Sequence, residues 1–361
     1  MQIKRVHLKS FRCFSSFDIE FDSPCILIEG ANGSGKTTIL EAIHYLSYVR
    51  SFRTFSPNDL FQFDHDSFFI KVYYETYIED QILHNQVQAG VEGKKKLVKV
   101  DNKTVTSYKE LVDHYRVVTL TEDDLSLVKG APEGRRNFID QAASLANPLF
   151  LKKIRFFKKI LQNRNSMLQS DNINQEMYNL WTEKLWQESV DIQKERKVLL
   201  KEIQDIVQQL VEKYFSSEFS IKLSYKQNKI KKNMSFEDFL IENPFLQEQE
   251  TRIRRSLFGA HLDDIIISFN DKKSRHFASR GQQKLIVVLL KIAQLKQLEI
   301  KKGEAIFLLD DFATDFDETK MKLILKALEN LKGQIILTCP LGNSKLKNLL
   351  KKYKFQTISL D

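Results

Sequence analysis

Cysteine is scarce in this sequence. Cys13, Cys25 and Cys339 are the only three, they are far apart, and no two form a C-x-x-C pair. An odd, scattered set argues against a disulfide framework or a cysteine-built zinc site, and it fits a reducing compartment. Long apolar runs are also missing. The best, Leu285–Leu290, ends at Lys291, far short of the roughly 18 residues that a membrane span requires. The opening residues Met1–Lys9 carry charge throughout and lack the apolar stretch of a secretory leader. Repeats and low-complexity tracts are absent. The expectation is a soluble, cytoplasmic protein with no membrane role.

What is present is an ordinary globular composition. The 361 residues are 42% hydrophobic and 29% charged, enough chain for two or three structural units. Lys and Arg number 56 against 47 acids, a net charge of +9. Such a surplus suggests a polyanionic partner without requiring one.

The chain opens with strand patterns. Ile3–Leu8 and Phe17–Phe21 alternate, and Cys25–Ile28 reads as a buried strand. A glycine-rich turn follows, then a helix from near Lys36 whose apolar face is Ile39, Leu40, Ile43 and Leu46. Residues 67–106 read as a sheet of hairpins, with Asp101-Asn102 as one turn. Composition shifts at Asn147-Pro148, an N-cap followed by a first-turn proline, and two helices are predicted over about 148–169 and 175–214. Their pairing predicts a short helical hairpin projecting from the core, followed by a strand through Phe219, Ile221, Leu223 and Tyr225. Strands are then predicted at Ile265–Phe269, Ala305–Leu309 and Gln334–Leu337, with a helix after Ser279.

Three stretches carry chemistry. Gly30-Ala31-Asn32-Gly33-Ser34-Gly35-Lys36-Thr37 satisfies G-x-x-x-x-G-K-[ST] between a strand and a helix, and Thr38 continues it. Glycines let backbone N–H groups curl around phosphate oxygens. Lys36 would reach the β and γ phosphates of ATP, and the Thr37 hydroxyl would ligate Mg²⁺. Far downstream, the apolar strand Ala305–Leu309 ends in Asp310 and Asp311. Asp310 is expected to hold the Mg²⁺ and Asp311 to orient the attacking water. The wide separation suits a domain folded from both ends of the chain. Third, Ala278-Ser279-Arg280-Gly281-Gln282-Gln283 precedes an amphipathic helix bearing Leu285, Val288, Leu289 and Ile292. It resembles the ABC signature motif, in which a Ser and a Gly face ATP held by a second subunit, so Ser279, Gly281 and Gln282 join the expected nucleotide site.

The chain as a whole resembles the RecF family of bacterial recombination mediators. Leu8-Lys-Ser-Phe-Arg-Cys-Phe14 is similar to the start of RecF- and SMC-type heads, and Arg50-Ser-Phe-Arg53-Thr resembles Gly-Arg-Ser-x-Arg-Thr. The stretch Glu122–Asp140, with Arg135-Arg136-Asn-Phe-Ile-Asp140, resembles a block ending Arg-Arg-x-Phe-Leu-Asp. Gly259-Ala-His261-Leu-Asp263-Asp264 resembles Gly-Pro-His-Arg-Asp-Asp. The resemblance implies an α/β ABC-type ATPase head over 1–147 and 256–361, with an N-terminal antiparallel lobe and a helical arm inserted at 148–255. It implies an ATP-dependent homodimer that binds double-stranded DNA near gaps and single/double-strand junctions. RecO- and RecR-like partners and the loading of RecA in DNA repair are implied with it. Lys94, Lys95, Lys96, Lys99 and Lys103, and Lys226, Lys229, Lys231 and Lys232, are expected to flank the DNA groove, with Arg50 and Arg53 coupling it to ATP.

Several family features are missing. Leu262 replaces an arginine, the D-loop-like Ala313-Thr314-Asp-Phe316-Asp317 is altered, Thr338-Cys-Pro carries no switch histidine, and no Q-loop glutamine stands out beyond the candidates Gln62 and Gln141. These departures imply weak, slow ATP hydrolysis, with ATP as clamp and timer. A transporter energy subunit is disfavoured by the N-terminal strand block and the helical arm. A long SMC-type tether lacks its coiled coil, and a nuclease-coupled ATPase lacks room after Asp317. A phage-defence ATPase on the same head is the alternative these departures leave open.

Overall fold

The computed structural model describes residues 1–78, 81–215, 219–311, 316–342 and 344–360. It divides into two compact units. The first comprises Met1–Leu125, Glu212–Ser216 and Arg280–Asp361, and the second comprises Ser126–Val211 and Ser217–Ser279. No helix among the described residues is long and apolar enough to cross a membrane.

The first unit holds two sheets. One is five-stranded and parallel, in the order Gln356–Leu360, Cys25–Gly30, Ile335–Pro340, Ile306–Leu309 and Val117–Leu120. Its central strands are continuous apolar runs, as a sheet covered on both faces requires. The other is six-stranded and antiparallel, built from Phe14–Glu20, Gln2–Phe11, Ser67–Ile78, Gln81–Glu92, Lys95–Val100 and Lys103–Thr104. Its strands alternate buried and exposed residues, one face lying in the core. At the Asp101-Asn102 turn both residues have positive φ, 48° and 66°, the geometry of a tight two-residue hairpin, which Asp and Asn tolerate best after glycine.

The helix Lys36–Tyr48 follows the strand Cys25–Gly30 and shares one core with both sheets. The sequence predicts one apolar face, but every residue from Thr38 to Tyr48 is buried. A helix covered by one sheet needs only a stripe, whereas this one is covered from both sides. Several of its polar residues are partnered: His44 Nδ1 lies 2.8 Å from Thr119 Oγ1, and Tyr48 donates to the Val117 carbonyl at 2.7 Å, whereas the Tyr45 hydroxyl has no partner among the described residues. The helix Arg280–Lys302 is likewise buried well beyond the expected stripe, and its Lys291 pairs with Asp124 at 2.8 Å.

The second unit carries the two predicted long helices, at Pro148–Leu168 and Gln175–Tyr214. Asn147 caps the first through its side chain, accepting from Leu149 N at 3.1 Å. Lys153 pairs with Glu195 and Arg164 bonds Thr182, so the helices run antiparallel as a hairpin. A three-stranded antiparallel sheet completes the unit, with Asp264–Phe269 between Ile221–Lys226 and Lys272–Lys273.

Candidate nucleotide-binding site

The predicted phosphate loop leaves the C-terminal end of Cys25–Gly30, at the edge where the parallel strands all end. Gly35 caps the following helix with φ 95°, and an added Cβ there would stand 2.3 Å from the Phe14 ring. A side chain is excluded on both counts. Ala31, Asn32 and Gly33 are exposed at the loop tip, and Ser34 Oγ is buried with no hydrogen-bond partner among the described residues. The Lys36 ammonium folds back on the loop, donating to the Gly30 and Ala31 carbonyls at 2.9 and 2.7 Å.

Asp310 and Asp311 reach the same edge by way of an intervening strand, Ile335–Pro340, rather than by direct pairing. Asp310 accepts from Thr37 Oγ1 at 3.0 Å and from Thr338 Oγ1 at 2.8 Å, and Thr338 in turn accepts from Asp311 N at 2.9 Å. Two sequence motifs far apart in the chain are thus joined directly, and the acidic pair is tied together by a threonine that the sequence marked only for not being histidine. Burial pushes the Asp310 carboxyl up, the hydrogen bonds from Thr338 and Thr37 oppose that, neighbouring Asp311 adds to it, and Arg53 opposes it. Asp311 itself sits in left-handed backbone, φ 44°.

A cleft of about 410 Å³ lies beside the loop, lined by Arg12, Gly35, Lys36, Thr37, Thr38 and Arg53. That size suits a small-molecule site. Both arginines converge on Glu41, a fully buried carboxylate of the loop helix. Arg12 binds it through two nitrogens at 2.9 and 2.6 Å, Arg53 lies 3.7 Å away, and the Ser51 hydroxyl also donates to it. Glu41 and Arg12 were not singled out in the sequence, because a glutamate inside an apolar helix carries no spacing signal. A smaller cleft beside Asp310 and Asp311 is lined by Thr121, Glu122 and Lys284.

The donor set fits a magnesium ion. A hydroxyl and a buried carboxylate converge at Thr37 and Asp310, and this ion characteristically takes one or two carboxylates with water and substrate phosphates completing its shell.

Other expected residues lie elsewhere. Ser279 is exposed at the end of the second unit, and Gly281 and Gln282 open the helix Arg280–Lys302 of the first. Among the described residues of the first unit, Gly281 and Gln282 line neither cleft. Residues 313–315 of the D-loop-like stretch lie outside the described residues, and Asp317 caps the helix Glu318–Leu328 by accepting from Lys320 N at 2.8 Å. Gln62 has its amide oxygen buried without a partner among the described residues, and Gln141 belongs to the second unit.

The blocks at 135–140 and 259–264 meet in the second unit as an ion-pair network. Arg135 clasps Asp264 at 2.8 and 3.1 Å, and Arg136 donates to the Asp263 carbonyl at 2.7 Å. Arg196 clasps Asp140 at 2.7 and 2.8 Å. The buried Asp263 accepts from Gln193, Tyr225 OH and Asn228 N. Leu262, where the family has arginine, is 39% exposed, so its loss leaves the network whole. The lysine cluster 94–99 splits across two faces. Lys95 and Lys99 share the open side with Leu97, and Lys96 lies 6.0 Å from the Tyr45 ring centre. Lys231 pairs with Glu242 at 2.5 Å.

Residues 2–354 match the family described as RecF/RecN/SMC N-terminal domain. A DNA replication and repair protein RecF of Natranaerobius thermophilus is 30% identical over 350 residues, covering 91% of this chain and 89% of that protein. The RecF of Clostridium tetani is 30% identical over 360 residues, covering 97% and 96%. A solved structure of the recombination mediator RecF-ATP in the RecFOR pathway superposes with a TM-score of 0.83 at 25% identity, covering 95% and 93%. The fold is therefore the α/β head with inserted helices that the motifs predicted. With the family match spanning nearly the whole chain, and relatives at that identity along its length, the protein belongs to the RecF family.

Proposed function

We propose that this chain is an ATP-dependent DNA-binding protein of repair and recombination, acting in the cytoplasm as a homodimer closed by nucleotide. The observation that carries the reading is the Thr37–Asp310–Thr338–Asp311 chain of hydrogen bonds beside the cleft. That arrangement supports one nucleotide touching both the phosphate loop and the pair of carboxylates. In this reading the N–H groups of Gly30–Thr38 and the Lys36 ammonium bind phosphates. Lys36 exchanges its loop carbonyls for phosphate oxygens. Thr37 and Asp310 hold Mg²⁺, which would neutralise charge on the transferred phosphoryl group. Asp311 orients water, and Ser279, Gly281 and Gln282 face the nucleotide of a second copy.

The solved relative named for the RecFOR pathway supports RecO- and RecR-like partners. The basic surplus supports DNA as the polyanion, with Lys94 in a hairpin turn, Lys103 just after one, and the cluster Lys226, Lys229 and Lys232 on duplex phosphates. Those contacts neutralise charge without reading bases, so binding should be independent of sequence and weaken with salt. The head over 1–147 and 256–361 and the arm at 148–255 remain the division we propose for function. Slow hydrolysis follows from Asp311, a carboxylate shorter than glutamate, and from Thr338 in place of a histidine.

The experiment is equilibrium binding of a fluorescent ATP analogue. Lys36→Ala should abolish binding while the melting temperature stays within a few degrees, because the ammonium's hydrogen bonds among the described residues go to its own loop. Normal affinity in that variant would refute the nucleotide site.

A further inference from the structure

The six-stranded sheet of the first unit turns one face to its core and leaves the other open. Cross-strand register sets Lys9, Phe69, Gly90 and Leu97 in one row on the open face, and His7, Lys71 and Lys99 in the next. Lys95 stands two residues from Leu97 on the same side. A hollow of about 560 Å³ lies over this row, larger than the cleft at the phosphate loop, and Gly90 lies in its lining with Phe69 and Leu97.

Gly90 has no structural reason to be glycine. It is not among the residues with left-handed backbone, and an added Cβ would meet the Phe69 ring at 3.9 Å, an ordinary contact. A glycine inside a strand weakens the sheet, and it commonly marks a place where something approaches the backbone closely. The residues around it are of two kinds. Leu97 is 49% exposed and Tyr73 39%, apolar or aromatic surface on a solvated face. The charges are lopsided. Asp18 and Glu20 are taken up by Arg5 and His7, whereas Lys9, Lys71, Lys95 and Lys99 have no ion-pair partner among the described residues. Lys71 lies over the Tyr73 ring, 4.5 Å from its centre. Glu92 is the one acid among the described residues lining the hollow.

Unpaired lysines on three strands, spread across a four-strand width of about 14 Å, suit an extended polyanion better than a single anion. An apolar hollow floored by a glycine and walled by an aromatic ring accepts a flat, unstacked base. A duplex offers its phosphates but keeps its bases stacked inside. We propose that this open face binds a single strand of nucleic acid, with a base over Gly90 against Phe69 and phosphates on Lys9, Lys71, Lys95 and Lys99. The proposal rests on the reading that the protein works on DNA, and it adds a seat for the unpaired strand of a gap, separate from the lysines assigned to the duplex.

The test is fluorescence anisotropy with labelled oligothymidine and with a duplex of equal length, using the full chain with ATP and Mg²⁺. Gly90→Leu fills the hollow, and a Lys9→Glu/Lys71→Glu double variant reverses charge on the open face and leaves the hollow's glycine in place, so one of them remains informative should the other fold poorly. Both should weaken oligothymidine binding by about tenfold or more and leave duplex affinity unchanged. The double variant should also lower the salt slope on single strands by about 0.7 per lost phosphate contact. A wild-type protein that binds duplex but not oligothymidine overturns this inference and leaves the proposed function standing. Equal loss on both substrates also overturns it, since the face would then be a general DNA surface. A wild-type protein that binds neither removes the DNA reading itself.

Discussion

At the scale of single residues, Thr338 bears more on the site than its composition suggests. Its hydroxyl donates to Asp310 and accepts from Asp311 N, so one side chain sets the carboxylate and the backbone that follows it. Thr338→Val keeps the shape and removes both bonds. Losing a partner inside a buried site costs about 1–3 kcal/mol, and Asp310 would be driven further toward its neutral form. Urea unfolding should show that loss, and Mg²⁺-dependent ATP binding should weaken more than binding without metal. Thr338→Ser should restore both; an unchanged metal dependence in the valine variant would remove Thr338 from the site. His261 gives a separate, pH-dependent signature. Burial, the largest cause, and nearby arginines lower its pKa from 6.5 to about 4. Between those values the unfolded chain binds a proton that the folded chain refuses, so stability falls as pH drops from 6.5 toward 4, by about 3 kcal/mol in total. Asp263 and Asp310 have raised values and act with the opposite sign, so the informative quantity is the difference between wild type and His261→Phe. The variant should lose less stability between pH 7 and pH 4.5; equal slopes would show that the imidazole is protonated in the native state.

At the scale of elements, the helical hairpin depends on one fully buried ion pair. Arg164 on Pro148–Leu168 binds Glu250 on Leu246–Ile253 through two nitrogens at 2.9 and 2.5 Å, and both side chains are 0% exposed. Thr182 and Ser256 accept from the guanidinium, Tyr178 donates to Glu250, Arg164 Nε has no partner among the described residues, and the rings of Tyr178 and Phe258 flank the guanidinium at 5.0 Å. Glu250→Ala should cost about 3–5 kcal/mol, because it strands a buried cation, whereas an Arg164→Met/Glu250→Met pair should come close to wild type. Urea midpoints decide the matter, and a double variant as unstable as the single would show that the pair contributes net stability. This network was invisible in the sequence, since its members are scattered over 164–256. The helices themselves were legible from the Asn147-Pro148 cap and the shift in composition there. The phosphate loop was legible for a similar reason, as one contiguous stretch. The strand Val117–Leu120 was missed because four residues between loops show no period. The helix Lys36–Tyr48 was read as one-faced because its second cover comes from a sheet remote in sequence. Motifs written in consecutive residues can be read, and partnerships made by the fold, such as Arg12 with Glu41, cannot.

At the scale of the whole molecule, nucleotide should control association. Each copy has a cleft bearing Lys36 and Thr37, and each carries an exposed Ser279. In the proposed reading the signature serine acts on another copy's nucleotide, and two copies then close two equivalent sites. The symmetry makes the outcome of substitution specific. Ser279→Arg or Gly281→Asp places bulk or negative charge where the partner's γ-phosphate would lie, so each copy should bind ATP with near-normal affinity yet fail to associate. Asp311→Asn acts at the other stage. It keeps the side chain's size and its backbone bond to Thr338, removes the carboxylate expected to orient water, and should hold the ATP dimer longer than wild type. Sedimentation velocity at micromolar protein with ATP and Mg²⁺ reads all of these at once: a wild-type monomer–dimer shift on adding ATP, none for the Ser279 and Gly281 variants, and a persistent dimer for Asp311→Asn. A wild-type chain that stays monomeric under those conditions would rule out closure by nucleotide. A Ser279→Arg variant that dimerises normally would keep the dimer and remove the signature residues from its interface.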